Sequence, residues 1–464
     1  MDRYLVTATV RRDGSSKFGA GNRFGTFPSA SFAWRASEEK FIKDLNIFSN
    51  LKLRVGWGQT GNSGSATSLS VNQVSPDRIM FYYLNGGNYV SGAGLAKVAE
   101  IDTNLKWETN EQTNIGLDLG FFDNSLNITL DYFVRDAKDL LLYRNLRPST
   151  GYTSIYTNAG HIRNSGFEFA INYTKEIGDW TFGATLNGST LKNKAIEVGD
   201  DIFHSGGVDD GYYWTNYSIT KNGHPVGSFY GHKVVGIFQN QSEIDALNKQ
   251  AAEKTNGEIT VYQTAETKPG DWKYIDVNGD GYISDEDKTI LGDGYPTLNY
   301  GLNLTAGYKG WDFTLYMYGV LGQDILSYSY ANLTSVYAAS GGYQNCLADC
   351  MKNAWTPENQ SSKYTRLTRT DGNHNVRISD AFIKNGDFLR ISNIQIGYTF
   401  PKKWVKPLRM ESARVYVSVE NLATITGYKY GDPEVGDSNV LRTGFDAGRY
   451  PFPRTYAFGL SVQF

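Results

Sequence analysis

No stretch of this 464-residue sequence approaches the roughly 20 consecutive apolar residues that a membrane-crossing helix requires. That excludes a helical membrane protein but leaves a barrel open, because only alternate residues of a barrel strand face lipid. Residues 1–12 lack the basic and apolar regions of a secretory signal, and a strand-like pattern starts at Tyr4. If the chain is exported, its true N-terminus lies upstream. Cysteine is almost absent. Cys346 and Cys350 stand four apart in a stretch expected to be helical, awkward for a disulfide and without the His cluster of a zinc site. They read as unpaired structural residues. The five histidines show no metal-ligand spacing, and no phosphate-binding loop, dinucleotide fingerprint or nucleophile elbow stands out. Asp209-Asp210 reads as a solvated turn rather than a pair of catalytic carboxylates. A net charge of -3, with 20% charged residues, gives no electrostatic reason to expect nucleic acid.

What is abundant is aromatic residues, 14% of the chain, and alternation. Near the C-terminus Tyr456, Phe458, Leu460, Val462 and Phe464 occupy one phase, and Ala457, Gly459, Ser461 and Gln463 the other. In a strand these phases point to opposite sides. The pattern recurs at Leu126/Ile128/Leu130/Tyr132/Val134, Ile115/Leu117/Leu119/Phe121, Phe167/Phe169/Ile171/Tyr173 and Trp180/Phe182/Ala184/Leu186. It continues at Leu298/Tyr300/Leu302/Leu304, Trp311/Phe313/Leu315/Met317, Val415/Val417/Val419, Leu51/Leu53/Val55/Trp57 and Ala30/Phe32/Trp34. Residues 388–400 change phase between Ile391 and Ile394, which predicts a bulge near Ser392–Asn393. About twelve strands result, each expected to run about 9–11 residues. Short turns at Asp123–Asn124, Gly178–Asp179 and Lys309–Gly310 alternate with long segments at 62–106, 136–165, 188–296, 320–386 and 421–453. Such alternation is that of an antiparallel up-and-down transmembrane β-barrel, with turns on the periplasmic side and long extracellular loops. The C-terminus then falls on the periplasmic side. A soluble sandwich or solenoid also alternates, but its solvent face carries more Lys and Glu than these strands do.

One local motif has the spacing of a calcium loop. In Asp276–Asp287, oxygen ligands fall at Asp276, Asn278, Asp280, Tyr282 (by its carbonyl), Ser284 and Asp287, with Gly281 at the turning position. Asp287 stands where such loops carry a longer Glu, and no convincing helix precedes it. A structural Ca2+ in an external loop is the expectation, against an acidic turn without an ion. The loop aromatics Tyr212, Tyr213, Trp214 and Tyr217, with Tyr328, Tyr330 and Tyr337, suit either sugar stacking or packing, and packing or partner contact is the favoured reading.

Several segments closely resemble the SusC/RagA-like family of TonB-linked outer-membrane transporters of Bacteroidetes. They are Arg11-Arg12-Asp13-Gly14-Ser15-Ser16-Lys17-Phe18-Gly19, the run Asn22–Arg35, Leu53-Arg54-Val55-Gly56-Trp57-Gly58-Gln59-Thr60-Gly61-Asn62 and Leu105-Lys106-Trp107-Glu108. Pro225-Val226-Gly227-Ser228-Phe229-Tyr230-Gly231, Trp355-Thr356-Pro357-Glu358-Asn359 and the terminal strand complete the set, in the family's order. The resemblance implies that residues 1–464 are the C-terminal portion of a barrel of about 22 strands, without its plug domain and N-terminal strands. It also implies import of oligosaccharides or peptides, with a SusD-like surface lipoprotein as lid and the TonB complex as motor, acting through the missing N-terminal part. No covalent chemistry is required, so no enzyme is expected. The alternative is a secreted or surface β-rich glycan-binding or adhesion protein; a carbohydrate-active enzyme is a weaker third.

Overall fold

The computed structural model describes residues 3–464 except 20, 65–73, 76–79, 86–87, 94–95, 98–99, 103, 153, 205–213, 339–341, 361–362 and 437–438. The chain is mostly antiparallel β and divides into two units. The first contains β1 (Tyr4–Gly14), β2 (Phe24–Arg35), β3 (Asn50–Asn62), β4 (Glu108–Phe121), β5 (Leu126–Asn145) and most of β6 (Ser154–Ile177). Consecutive strands pair antiparallel, with Leu53 opposite Leu117 and Leu117 opposite Leu130. The β4–β5 turn sits where the sequence places it, with Phe122, Asp123 and Asn124 all at positive φ.

The second unit holds the end of β6 and β7 (Trp180–Thr190), β8 (Leu298–Tyr308), β9 (Trp311–Leu321), β10 (Phe388–Thr399), β11 (Ser412–Thr426) and β12 (Thr455–Gln463). Its neighbours also pair antiparallel in chain order. The expected bulge is present: Asn393 pairs with Tyr316 and Ile391 with Met317, which leaves Ser392 unpaired. The extra residue resets the phase, so Ile391 and Ile394 both stay on the apolar side.

In both units the apolar phase is open. Val6, Ile115, Tyr132, Phe182, Val417, Phe458 and Leu460 are exposed, Phe458 to 81%. Among the described residues no second layer covers these faces within either unit, and they stay exposed instead of forming the inside of a packed core. The buried apolar clusters lie elsewhere. One, in the first unit, is Phe18, Leu105 and Leu141, with Trp107 against them. Among the described residues, three in the second unit are built from inter-strand connections.

β3, β4 and β11, with 13, 14 and 15 residues, overrun the expected length, and β5 and β6 depart from it most. β5 has 20 residues and β6 24, so 136–165 is not a long loop but the upper part of a hairpin joined by 146–153. The outward phase of β5 turns from Tyr132 and Val134 to Asp136 and Lys138, and that of β6 from Phe167 to Arg163 and His161. Hydrophobic alternation stops where lipid would stop, while backbone pairing continues. The expected helix at the cysteines is also shorter: it runs Ala348–Asn353, so Cys350 lies in it and Cys346 precedes it.

Candidate functional site

The inner phase of the strands is polar and cross-linked. Arg54 on β3 donates from Nε to Asp118 at 2.9 Å and from Nη2 to Asp131 at 2.9 Å, spanning β3, β4 and β5. Gly116 makes this possible: a Cβ there would meet Arg54 Cζ at 2.6 Å and Asp131 Oδ1 closer still. The second unit repeats the device, with Arg414 on β11 bridging to Asp312 on β9 at 2.9 Å over Gly397 on β10. Above Arg54 the first unit opens into a concavity of about 710 Å³, lined by Arg11, Ser29, Gly58, Thr60, Asn110 and Arg135 among others. Amides, hydroxyls and guanidinium groups on one wall offer a hydrated solute many exchangeable hydrogen bonds.

Arg390 on β10 is 1% exposed and bridges to Asp432 at 2.5 Å and Glu434 at 3.4 Å, while the Tyr318 hydroxyl donates to Glu434 at 2.7 Å. Its guanidinium lies over Phe452. These contacts fix the β11–β12 connection against the inner phase. A buried charge set of this kind is costly to form and costlier to break singly.

Residues 234–287, between β7 and β8, fold into one module together with part of the β9–β10 connection. Asn240 caps α1 (Gln241–Lys254), accepting from the backbone N–H of Glu243 at 3.0 Å. Ile244 of that helix packs with Phe238, Tyr262, Tyr274 and Ile283. Asp271, fully buried, takes a two-pronged bridge from Arg366 at 2.7 and 3.2 Å and accepts from Asn375 at 3.0 Å. His232 donates from Nε2 to the Ser284 carbonyl at 3.0 Å, and its Nδ1 is buried without a partner. Burial pulls this imidazole down to about 4.

Within the 276–287 loop, Asp287 is fully buried; its Oδ1 accepts from Val277 N at 2.8 Å and its Oδ2 from Ser284 N at 2.7 Å. Asp276 accepts from Gly279 and Gly281 at 2.6 and 2.8 Å, and Asp280 accepts from Tyr282 at 3.1 Å. Asn278 accepts from Asp280 N at 3.0 Å. Lys254 Nζ donates to the Gly279 carbonyl at 2.9 Å and lies 3.7 Å from Asp276. Hydrogen bonds internal to the loop therefore close it. Among the described residues no group of three or more His, Cys, Asp or Glu converges to hold a metal ion.

Of the loop aromatics, Trp214 is 2% and Tyr217 1% exposed. Trp214 donates to the Val376 carbonyl at 3.0 Å, and Tyr217 stacks on Phe445 at 4.2 Å. Neither offers a free face to a sugar ring. Tyr212, Tyr213 and the Asp209-Asp210 pair lie outside the described residues. Cys350 is buried beside Cys346, and burial raises its thiol to about 12. Two of the motif segments are packing elements: Phe229 sits in the same core as Trp214, and Trp355 covers Gly270, where φ is +94°. Sequence reading missed Arg54–Asp118–Asp131 and Arg390–Asp432, although charges on the inner phase of otherwise apolar strands were a signal for the first.

A sheet with one open apolar face, one ion-paired inner face and folded modules in its long connections has the make-up of an outer-membrane β-barrel wall. Residues 1–422 match the family described as TonB dependent receptor-like, beta-barrel, and the chain belongs to that family. It is 33% identical over 474 residues to TonB-dependent receptor P3 of Formosa agariphila, covering all of this chain and 44% of that protein. It is 31% identical over 471 residues to TonB-dependent receptor SusC of Bacteroides thetaiotaomicron, again over the whole chain and 42% of the relative. The chain thus spans less than half the length of these curated relatives. Among solved structures, the RagAB peptide importer in its 'closed-closed' state superposes with a TM-score of 0.76 at 23% identity, covering all of this chain and 46% of that one. That likeness shows the fold. Family and fold place the chain in the outer membrane.

Proposed function

We propose that this chain forms the wall of a TonB-dependent importer of oligosaccharides or peptides, working with a SusD-like surface lipoprotein and energised by the TonB complex. The carrying observation is the two-faced wall, apolar outside and ion-paired inside, since a structure that only bound glycans at a surface has no use for an open apolar face. The RagAB structure is that of a peptide importer, which supports peptides within the class of cargo, and the relative named TonB-dependent receptor SusC supports energy supply by TonB. The protein provides enclosure, hydrogen-bonding lumen contacts and a loop platform for the lid, and it carries out no covalent chemistry. The test is affinity purification from outer membranes, followed by mass spectrometry and uptake of labelled oligosaccharide and peptide pools by cells with and without the gene. A co-purifying surface lipoprotein and loss of uptake of one pool are expected. Unchanged uptake of both pools, with no lipoprotein partner, would reject the proposal.

We infer separately that the 276–287 loop takes calcium, on the ligand spacing alone. Titration calorimetry reads it directly: heat that saturates with CaCl2 and vanishes in Asp276→Asn supports the site, and no heat in the unsubstituted chain removes it.

A further inference from the structure

Outward-pointing cations stand just above the apolar band of the first unit. Lys192–Glu197 pairs with β6, placing Lys194 directly opposite Arg163 and Lys192 opposite Ser165. Ser165 and Arg163 share their phase with the exposed Phe167, so all three basic side chains point to the lipid side. Lys138 of β5 continues the row beside Asp136. Three acidic groups answer part of this charge: Asp136 bridges to Arg163 at 2.8 Å, Glu111 bridges to Lys138 at 3.0 Å, and Glu197 stands opposite His161. Lys192 and Lys194 are exposed and have no ion pair among the described residues. Cations directly opposite one another across two strands repel, and folding alone gives no return for that arrangement.

The height of the row identifies the missing anion. Along β6, Ser165 lies about 7 Å and Arg163 about 13 Å beyond Phe167 at the strand rise per residue. With a strand tilt of about 40°, these become roughly 5 and 10 Å above the last apolar side chain. The polar layer of a bilayer occupies about that interval beyond the hydrocarbon. The row sits at the long-connection end of the strands, the outer side in barrels of this kind.

We propose that Lys192, Lys194 and Arg163 form a docking surface for the phosphate of an outer-leaflet lipid bearing a phosphate monoester, whose acyl chains lie against Phe167 and Phe169. The surface is continuous with the lipid face, and its residual charge is positive where the headgroup charge is negative. Asp136 orients the Arg163 guanidinium and leaves the two lysines to the phosphate.

The full chain in neutral detergent, mixed with equimolar dioleoyl phosphatidic acid and dioleoyl phosphatidylcholine, is examined by native mass spectrometry, beside K192Q/K194Q and beside K402Q/K403Q as a charge control away from the row. Thermal unfolding confirms that all three are folded. The unsubstituted chain and the control are expected to retain phosphatidic acid preferentially, and K192Q/K194Q to bind it roughly thirtyfold more weakly, in keeping with the worth of two lysines at an anionic surface. Equal retention by all three proteins would overturn the proposal. So would displacement of the lipid by millimolar inorganic phosphate, which would mark a free-anion site. A dimer that K192Q/K194Q dissolves would assign the row to a second copy instead and would also overturn it.

Discussion

At the scale of single residues, the clearest consequence concerns His232. Its imidazole is neutral in the folded protein because burial leaves Nδ1 without a partner while Nε2 donates to Ser284. The folded pKa, about 4, lies below the ordinary 6.5 of the unfolded chain. The folded state therefore binds fewer protons between those values. The stabilisation is fully present above pH 6.5 and is lost as pH falls from 6.5 towards 4, by up to about 3 kcal/mol. His232→Gln should flatten the pH dependence of unfolding over that window, and an unchanged slope would remove His232 as its cause. Asp271 makes a second case: Asp271→Asn leaves Arg366 without its carboxylate and should destabilise the module by about 3 kcal/mol. Faster proteolysis between residues 230 and 380, with the strands intact, would report it. Little of this was legible in the sequence. Asp271 and Arg366 stand far apart in irregular connections, where no periodicity announces a partner. The calcium-type spacing was legible, but spacing alone does not distinguish an ion from the backbone N–H groups that occupy Asp276 and Asp287.

At the scale of elements, the strands were readable because lipid on one side imposes a two-residue period. The bulge at Ser392 was readable for the same reason, since an extra residue is the only way to keep both Ile391 and Ile394 outward. Deleting Ser392 removes the extra residue, so Ile391, Asn393 and Ile394 alternate regularly with both isoleucines still outward, and a cooperative unfolding transition should persist. Ser392→Ala should change stability by less than about 0.5 kcal/mol. Loss of the transition in the deletion variant, or of lipid-facing Ile391 or Ile394, would contradict this account of the bulge. The upper part of β5 and β6 was not readable. Once Asp136, Lys138, His161 and Arg163 replace apolar side chains on the outward phase, ion pairs hold the hairpin and the periodic signal ends. The modules in the connections were equally hidden. Their cores gather residues distant in sequence, such as Trp214, Phe382 and Phe445, and the resemblance motifs around Phe229 and Trp355 marked them without saying why.

At the scale of the whole molecule, the account depends on which medium touches each phase of the strands. An Arg in place of Leu130, at mid-band on the outward phase of β5, should cost about 2–4 kcal/mol in a bilayer. The direct measurement is an accessibility scan along β4. Single cysteines replace Gln112, Asn114, Ile115, Leu117 and Leu119 in a Cys346→Ser/Cys350→Ser background, and the chain is reconstituted in lipid vesicles. Each site carries an environment-sensitive fluorophore quenched either by brominated lipid or by aqueous iodide. Probes at 115, 117 and 119 are expected to yield to brominated lipid alone, and those at 112 and 114 to iodide. The same quencher acting on both sets, or lipid reaching the even positions, would contradict a wall that separates hydrocarbon from an aqueous interior.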